Sequence, residues 1–278
     1  MIKTLLETKL SEFLIDMELD ELAIRTRKKY DGNIRYFIDS INHDRPISKV
    51  DLIRFKEIII GNRYKPSTIN SYIITLNKFM KYCFKDDPLI YEEMRLKNLR
   101  TQFKNSLEDV VSLEDYKRLI RIAKRLERQD IMLIMMIITR TGIRIGELRD
   151  FTVEAITKSF YIHTRNKGKE KDIPVPQDLV REIRKYCKIN NLKSGPIFRI
   201  NQSTIWRQMK RIAGHAKVSL IKVHAHSFRH LFAKEFMNQY NNIAELADHL
   251  GHSSLNTTSI YTKTTQHEKR KKLEAMKF

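Results

Sequence analysis

Apolar residues recur at helical spacing along almost the whole chain. This periodicity is the sequence feature that most restricts the folds the chain can adopt. Two stripes in the first part of the chain are Leu6, Leu10, Phe13, Leu14 and Met17, then Tyr30, Ile34, Phe37, Ile38 and Ile41. Such spacing predicts amphipathic helices that bury one face. Ser48 with Asp51 resembles a capping box that opens a third helix, and Pro66 begins a fourth. Residues 1–95 are therefore predicted to form a four-helix domain.

The spacing of apolar residues departs from the helical period in one region, near the middle of the second half of the chain. Residues 160–164 and 172–175 alternate like strands and flank residues 166–169, a hairpin signal. Helical patterns resume at 177–189 and 203–213, and again from 226. A polar, basic and weakly periodic stretch at residues 96–107 is predicted to be a linker. The chain is thus mainly α, with residues 108–278 forming a mostly helical domain that contains one small antiparallel β-sheet.

The charge balance indicates a polyanionic partner. Lys and Arg number 53 against 33 Asp and Glu, which gives a formal net charge of +20 and a pI near 9.9. A membrane is disfavoured because the most apolar run, residues 131–138, is far shorter than the roughly 20 residues of a spanning helix. No signal peptide is recognisable. The two cysteines, Cys83 and Cys187, lie far apart and outside any metal-ligand spacing, which fits a reduced protein without a disulfide framework. We expect a cytoplasmic, DNA-associated protein.

Basic residues on the polar faces of the N-terminal helices are candidates for DNA contacts. They are Arg25, Arg27, Lys28, Lys29, Arg63 and Lys65. Each of them alone is equally compatible with an ordinary solvated face. The net charge of the chain favours a surface that binds DNA phosphates.

The residues that suggest chemistry are cations, imidazoles and one tyrosine at the boundaries of predicted elements. The sequence contains no Walker A loop, dinucleotide fingerprint or HExxH zinc helix. Arg144 follows the buried run, His226 and Arg229 lie one helical turn apart, and Tyr261 comes nine residues after His252. Lys167 lies at the predicted hairpin tip.

Three segments in this order resemble the tyrosine recombinase (phage integrase) family, in its Xer-like form. They are TGIRIGEL (141–148), HAHSFRHLFA (224–233) and LGHSSLNTTSIYTK (250–263). The resemblance implies a catalytic set of Arg144, Lys167, His226, Arg229, His252 and the nucleophile Tyr261, with Glu147 supporting Arg144.

The chemistry of a phosphodiester explains these residue types. Two guanidiniums, Arg144 and Arg229, stabilise charge on the non-bridging oxygens. A phenol of pKa about 10 needs a base, which we assign to His226, and Lys167 is assigned as the acid for the leaving 5′-hydroxyl. The 3′-phosphotyrosyl product conserves the bond energy, so no cofactor or metal is expected.

Some assignments leave alternatives. Lys169 competes with Lys167 as the acid, because the family's commoner hairpin carries one more residue, and Lys171 is a further neighbour. His230 lies four residues after His226, which suggests a zinc pair, but no carboxylate or cysteine completes a site. We therefore interpret His230 as packed or close to DNA.

The resemblance also implies an assembly. A core-binding domain and a catalytic domain would clamp the duplex, and four protomers would join two recombination sites through a Holliday junction. The tail after Tyr261 would pack on a neighbouring protomer, accessory proteins would fit the family, and an arm-binding domain is not expected. The alternatives are a type IB topoisomerase, a metal-dependent nuclease and a catalytically silent DNA-binding protein. Dimer resolution, element integration and plasmid maintenance are not distinguished.

Overall fold

The chain divides into two compact units, Met1–Phe103 and Lys104–Phe278. The structure is a computed structural model that describes residues 1–100, 109–166, 169–251, 255–262, 274 and 276. Within these residues, no helix has both the length and the apolar character needed to cross a membrane.

The first unit is entirely helical in its described part. Its helices are α1 (Lys3–Leu19), α2 (Ile24–Asp39), α3 (Lys49–Gly61), α4 (Pro66–Cys83) and α5 (Pro88–Met94). The predicted apolar stripes form its core, in which Leu6, Phe37 and Phe55 are fully buried. The four predicted helices are present, and α5 is an addition. It begins where Pro88 occupies the first turn and the Asp87 side chain accepts a hydrogen bond from the Ile90 N–H.

A buried carboxylate organises the start of α3. Asp51 accepts hydrogen bonds from the Ser48 backbone N–H at 2.8 Å and from Arg45 Nη2 at 2.9 Å, and it lies 2.9 Å from His43 Nε2. Burial would raise the pKa of Asp51, but the hydrogen bonds from His43 and Ser48 and the charge of Arg45 together lower it to about 2. Asp51 therefore stays ionised and joins the loop before α3 to the helix.

The second unit is mostly helical around one hairpin. Its elements are α6 (Leu113–Arg125), α7 (Gln129–Thr141), α8 (Val153–Lys158), β1 (Tyr161–Asn166), β2 (Lys169–Pro174), α9 (Gln177–Ile189), α10 (Gln202–His215), α11 (Ala225–Tyr240), α12 (Ile243–Leu250) and α13 (Leu255–Thr258), with 3-10 turns at Ile145–Asp150, Leu220–Lys222 and Ser259–Thr262. The two strands pair antiparallel, from Tyr161 opposite Pro174 to Asn166 opposite Lys169. The predicted small antiparallel sheet is thus confirmed.

The apolar run at residues 131–138 forms most of α7, a central helix of this unit. Ile131, Ile134 and Ile138 are fully buried, and α7 packs against α6, α9 and α11. The helix ends at Gly142, which adopts a left-handed conformation with φ of +64°. A Cβ atom there would lie only 2.5 Å from Phe232 Cδ1, so the close approach of α11 also requires glycine. Because α7 ends in this tight turn, the residues that follow Gly142 lie beside α11.

Candidate active site

Three chain turns meet around the first half of α11: the end of α7, the start of α11 itself and the end of α12. The His224 Nδ1 atom accepts a hydrogen bond from the Ser227 backbone N–H at 3.1 Å and so caps α11. The Ser227 hydroxyl in turn accepts one from the Val111 backbone N–H at 2.8 Å. These bonds fix the helix that carries His226, Arg229 and His230.

Arg229 lies at the centre of this junction and is 2% exposed. Its Nη1 donates to the Gly142 carbonyl at 2.6 Å, and its Nη2 donates to the Leu250 carbonyl at 2.7 Å. One guanidinium therefore joins the ends of α7 and α12. Burial and the nearby charge of Arg144 lower its pKa to about 10, so it remains a cation at neutral pH.

Arg144 lies on the more exposed side of the same junction. Its Nη1 donates to Glu147 Oε1 at 3.2 Å, and its backbone N–H donates to Glu147 Oε2 at 2.9 Å. Its Nη2 reaches the Gly251 carbonyl at 3.4 Å. Glu147 is buried, whereas the Arg144 side chain is 40% exposed. The carboxylate thus orients a guanidinium that stays exposed to solvent, and the supporting role of Glu147 in catalysis stays a prediction.

Tyr261 is brought to this junction by the 3-10 turn at Ser259–Thr262, and it is 8% exposed. Its hydroxyl lies 2.7 Å from His230 Nδ1. Burial raises its pKa to about 12, although the charge of Arg229 acts in the opposite direction. The phenol is therefore protonated at neutral pH until a base removes its proton.

His226 lies beside His230 on α11. The two rings contact edge to face, with centroids 4.2 Å apart. Burial, followed by the charges of Arg229, His224 and Arg144, lowers the pKa of His226, so it is neutral at pH 7. The assignment of His226 as the base stays a prediction. The sequence interpreted His230 as packed or near DNA, and its contact with Tyr261 was missed even though its i, i+4 spacing from His226 indicated a shared face.

Lys171 is a second site residue that the sequence reasoning did not select. Its amine donates to the His249 carbonyl, which joins β2 to α12. Burial lowers its pKa to about 8; Glu147 opposes this shift, and the charges of Arg229 and Arg144 add to it. A usable signal existed, because Lys171 is two residues before the buried Ile173 and so points to the same face of its strand.

Two predicted catalytic residues, Lys167 and His252, lie outside the described residues, as does the side chain of Lys169. The candidate DNA contacts lie in the first unit. They are exposed except for Arg27, whose Nη1 lies 2.8 Å from Glu18 Oε1. Among the residues that the structure describes, no three His, Cys, Asp or Glu side chains are placed to hold a metal ion.

Comparison with known proteins places this arrangement in a family. Residues 109–268 match the model of the phage integrase family, which is more than half of the chain. The tyrosine recombinase XerA of Pyrococcus furiosus is 29% identical over 277 residues, which cover 95% of this chain and 92% of that one. The tyrosine recombinase XerD of Listeria innocua is 23% identical over 269 residues, covering 88% and 90%.

Solved structures show the same fold. A XerH site-specific recombinase bound to its difH substrate matches with a TM-score of 0.71 at 21% identity, over 91% of this chain and 80% of that one. A lambda integrase tetramer bound to a Holliday junction matches with a TM-score of 0.76 at 15% identity, over 94% and 79%. With a family model that spans more than half of its length, the chain belongs to the phage integrase family and is a Xer-like tyrosine recombinase.

Proposed function

We propose that this recombinase cleaves and rejoins DNA strands through a 3′-phosphotyrosyl bond to Tyr261, and that paired sites exchange strands through a Holliday junction. The observation that carries the proposal is the position of the Tyr261 hydroxyl. It is buried, hydrogen-bonded to a histidine and within the electrostatic influence of Arg229. A buried tyrosine hydroxyl generally has a hydrogen-bond partner. Here that partner is an imidazole, which is able to take a proton, and the nearby Arg229 charge favours the phenolate.

The arginines supply the positive field that an attacked phosphate requires. Arg144 is the accessible cation, held by Glu147, and Arg229 is the buried one that sets the position of Gly142 and Leu250. Fixed cations that need no rearrangement stabilise the charge that develops on the non-bridging oxygens. The sequence-predicted His252 would add a donor to the same oxygens.

Proton transfer completes the reaction. The Tyr261 proton must leave as its oxygen bonds to phosphorus, and the leaving 5′-oxygen must gain a proton. The histidines of α11 are the bases at hand, and His226 is the one that the family resemblance names. We assign the acid to Lys167, while Lys171, which binds the His249 carbonyl, positions the hairpin.

Solved structures of related recombinases support a proposal about the assembly. Since a lambda integrase has been solved as a tetramer on a Holliday junction and a XerH bound to its difH substrate, we propose that four copies of this chain bind two duplex sites. The first unit would grip phosphates through its exposed basic residues, with Arg25, Lys28 and Lys29 on α2. The tail after Tyr261 would pack on a neighbouring copy, and accessory proteins would regulate the assembly on DNA in the cytoplasm.

Trapping a covalent adduct tests this function. A pool of nicked duplexes with a randomised central site is incubated with the protein, and cleavage next to the nick releases a short fragment that cannot rejoin. Wild type is expected to form denaturant-resistant adducts, Tyr261→Phe none, and the matched variant Tyr240→Phe as many as wild type, because Tyr240 is exposed on α11. Adducts formed by Tyr261→Phe would contradict the proposal.

A further inference from the structure

The side chain in direct contact with the Tyr261 hydroxyl is that of His230. The 2.7 Å distance from Oη to Nδ1 is that of a strong hydrogen bond. Both side chains are largely shielded from solvent, at 8% and 9% exposed, and their ring centroids lie 5.4 Å apart. The Tyr261 hydroxyl therefore has a fixed hydrogen-bond partner on α11.

A buried phenol of this kind needs an acceptor for its proton. The pKa of Tyr261 is raised to about 12, so only a very small fraction is ionised at pH 7. The charge of Arg229 lowers that pKa, yet not enough to offset burial. Bulk hydroxide is scarce at neutral pH and has little access to the hydroxyl. A neighbouring base within hydrogen-bond reach is the remaining route.

We propose that His230 is a catalytic residue that accepts the Tyr261 proton. The inference rests on the proposed function of Tyr261 as nucleophile. The Oη–H bond breaks and the proton passes to Nδ1, while Oη forms the bond to phosphorus. The bond from phosphorus to the 5′-oxygen breaks, and that oxygen takes a proton from the acid. In rejoining, the 5′-hydroxyl attacks and the imidazolium returns its proton to Tyr261.

The surroundings of His230 suit this transfer. His226 contacts the ring from the same helix and is neutral at pH 7, so it adds no repulsion to the forming imidazolium. Arg144, Arg229 and Lys171 act on one another electrostatically, and the Glu147 carboxylate offsets part of their positive charge. His226 then lies next to the base and is available to bind phosphate oxygens.

A nucleophile with a lower pKa shows whether His230 acts as a base or only packs against Tyr261. A His230→Gln variant keeps a hydrogen-bond acceptor but takes no proton, and we expect it to lower the single-turnover cleavage rate by about 10²- to 10⁴-fold. Replacing Tyr261 by 3,5-difluorotyrosine makes the phenol a stronger acid. In the His230→Gln background, this replacement is expected to raise the cleavage rate at least about tenfold, because a more acidic phenol depends less on a base.

Two further variants complete the comparison, on the duplexes captured by wild type. His226→Gln is expected to gain nothing from difluorotyrosine. His215→Gln, at an exposed position at the end of α10, is expected to cleave within about twofold of wild type. Absence of rescue in His230→Gln, or rescue in His226→Gln alone, would overturn the inference. Adducts in Tyr261→Phe would instead overturn the proposed function, so the two failures are distinguishable.

A measurement on the intact, unmutated chain needs no DNA. Nitrogen-15 NMR of histidine-labelled protein, with the His230 signals assigned by comparison with His230→Gln, reports which ring nitrogen carries the proton. We expect Nδ1 to be unprotonated and Nε2 protonated, with Tyr261 as the donor of the hydrogen bond. A proton on Nδ1 at neutral pH would make His230 the donor and would overturn its assignment as the acceptor.

Discussion

Two cations of this site, the buried Arg229 and the half-buried Lys171, bind main-chain carbonyls as well as contributing charge. The Arg229 guanidinium joins Gly142 to Leu250, and the Lys171 amine reaches His249. Removing either side chain therefore changes both the electrostatic field and the position of a turn. A loss of cleavage rate alone therefore does not show which chemical step such a residue serves. A substrate that does not need one of the steps can show this.

Variants of the two hairpin lysines, Lys167 and Lys171, are expected to respond differently to a substrate whose cleavage needs no acid. A duplex with a 5′-bridging phosphorothiolate has a thiol leaving group of low pKa, which departs without a proton donor. Lys167→Ala is expected to lose about 10²- to 10⁴-fold in cleavage of the ordinary duplex and to recover most of it on the phosphorothiolate. Lys171→Ala is expected to stay impaired on both, because its loss displaces β2 from the His249 carbonyl.

Single-turnover rates on the two duplexes check this difference. Recovery in Lys171→Ala but not in Lys167→Ala would show that the acid had been assigned to the wrong lysine. Lys188→Ala provides the control, since Lys188 is exposed on α9 in the same unit and its loss is expected to leave both rates unchanged.

At the scale of elements, the end of α7 is a tightly constrained turn of the site. Gly142→Ala would place a Cβ 2.5 Å from Phe232 in a backbone of φ +64°. We expect a loss of unfolding free energy of about 1–3 kcal/mol from backbone strain and a fall in cleavage rate, because the Gly142 carbonyl accepts from Arg229. Gly214→Ala, inside α10 with open space around it, should instead gain up to about 1 kcal/mol.

Denaturant unfolding of both glycine variants, followed by adduct formation on the captured duplexes, measures these effects. A Gly142→Ala variant as stable and as active as wild type would contradict the account of this turn. The opposite signs expected for the two substitutions guard against a general effect of replacing glycine.

The first unit offers a pH test of its own. The folded-state pKa of Asp51 is about 2, below the unfolded value of about 3.9, so its ionised form stabilises the fold by roughly 2 kcal/mol. A lowered carboxyl pKa gives stability that is complete above the unfolded pKa and is lost as pH falls through about 2. Asp51→Asn should therefore cost about 2 kcal/mol at pH 7 and progressively less below pH 4.

Unfolding curves at pH 7 and at pH 2 check the Asp51 expectation, with the exposed Asp86 of the same unit changed to Asn as the matched control. A deficit in Asp51→Asn that is equally large at both pH values would show that packing, and not ionisation, is what the carboxylate contributes.

The elements themselves were largely predictable, and the side-chain contacts between them were not. Apolar spacing located α1 to α4 and the hairpin, since burial of one face leaves a period in the sequence. The short α5 has too few residues to show a period. The motifs predict Arg144, Arg229 and Tyr261 as site residues, and the structure places them at one junction. The bond from His230 to Tyr261 joins residues 31 positions apart, and spacing within one helix does not specify such a contact.

At the scale of the whole molecule, the net charge of +20 predicts binding that weakens steeply with salt. Each phosphate contact contributes about 0.9 to the slope of log affinity against log salt concentration. Changing Lys28, Lys29 and Lys65 together to Gln should lower the magnitude of that slope by up to about 3. The matched triple change of Lys185, Lys188 and Lys193, all exposed in the second unit, removes the same charge and should change it less.

Fluorescence anisotropy with a labelled duplex at several salt concentrations measures both slopes. Equal slopes for the two triple variants would contradict a phosphate-binding surface at the predicted positions. They would indicate instead that the overall charge of the chain governs its affinity.

The central claim is that Tyr261 becomes covalently bound to DNA. The most direct measurement is mass spectrometry of the wild-type adduct after digestion with nuclease and trypsin. The expected peptide runs from residue 235 to residue 263 and contains two tyrosines, Tyr240 and Tyr261. The account predicts fragment ions that place the residual nucleotide on Tyr261. A nucleotide on Tyr240, or on any residue outside this peptide, would contradict it.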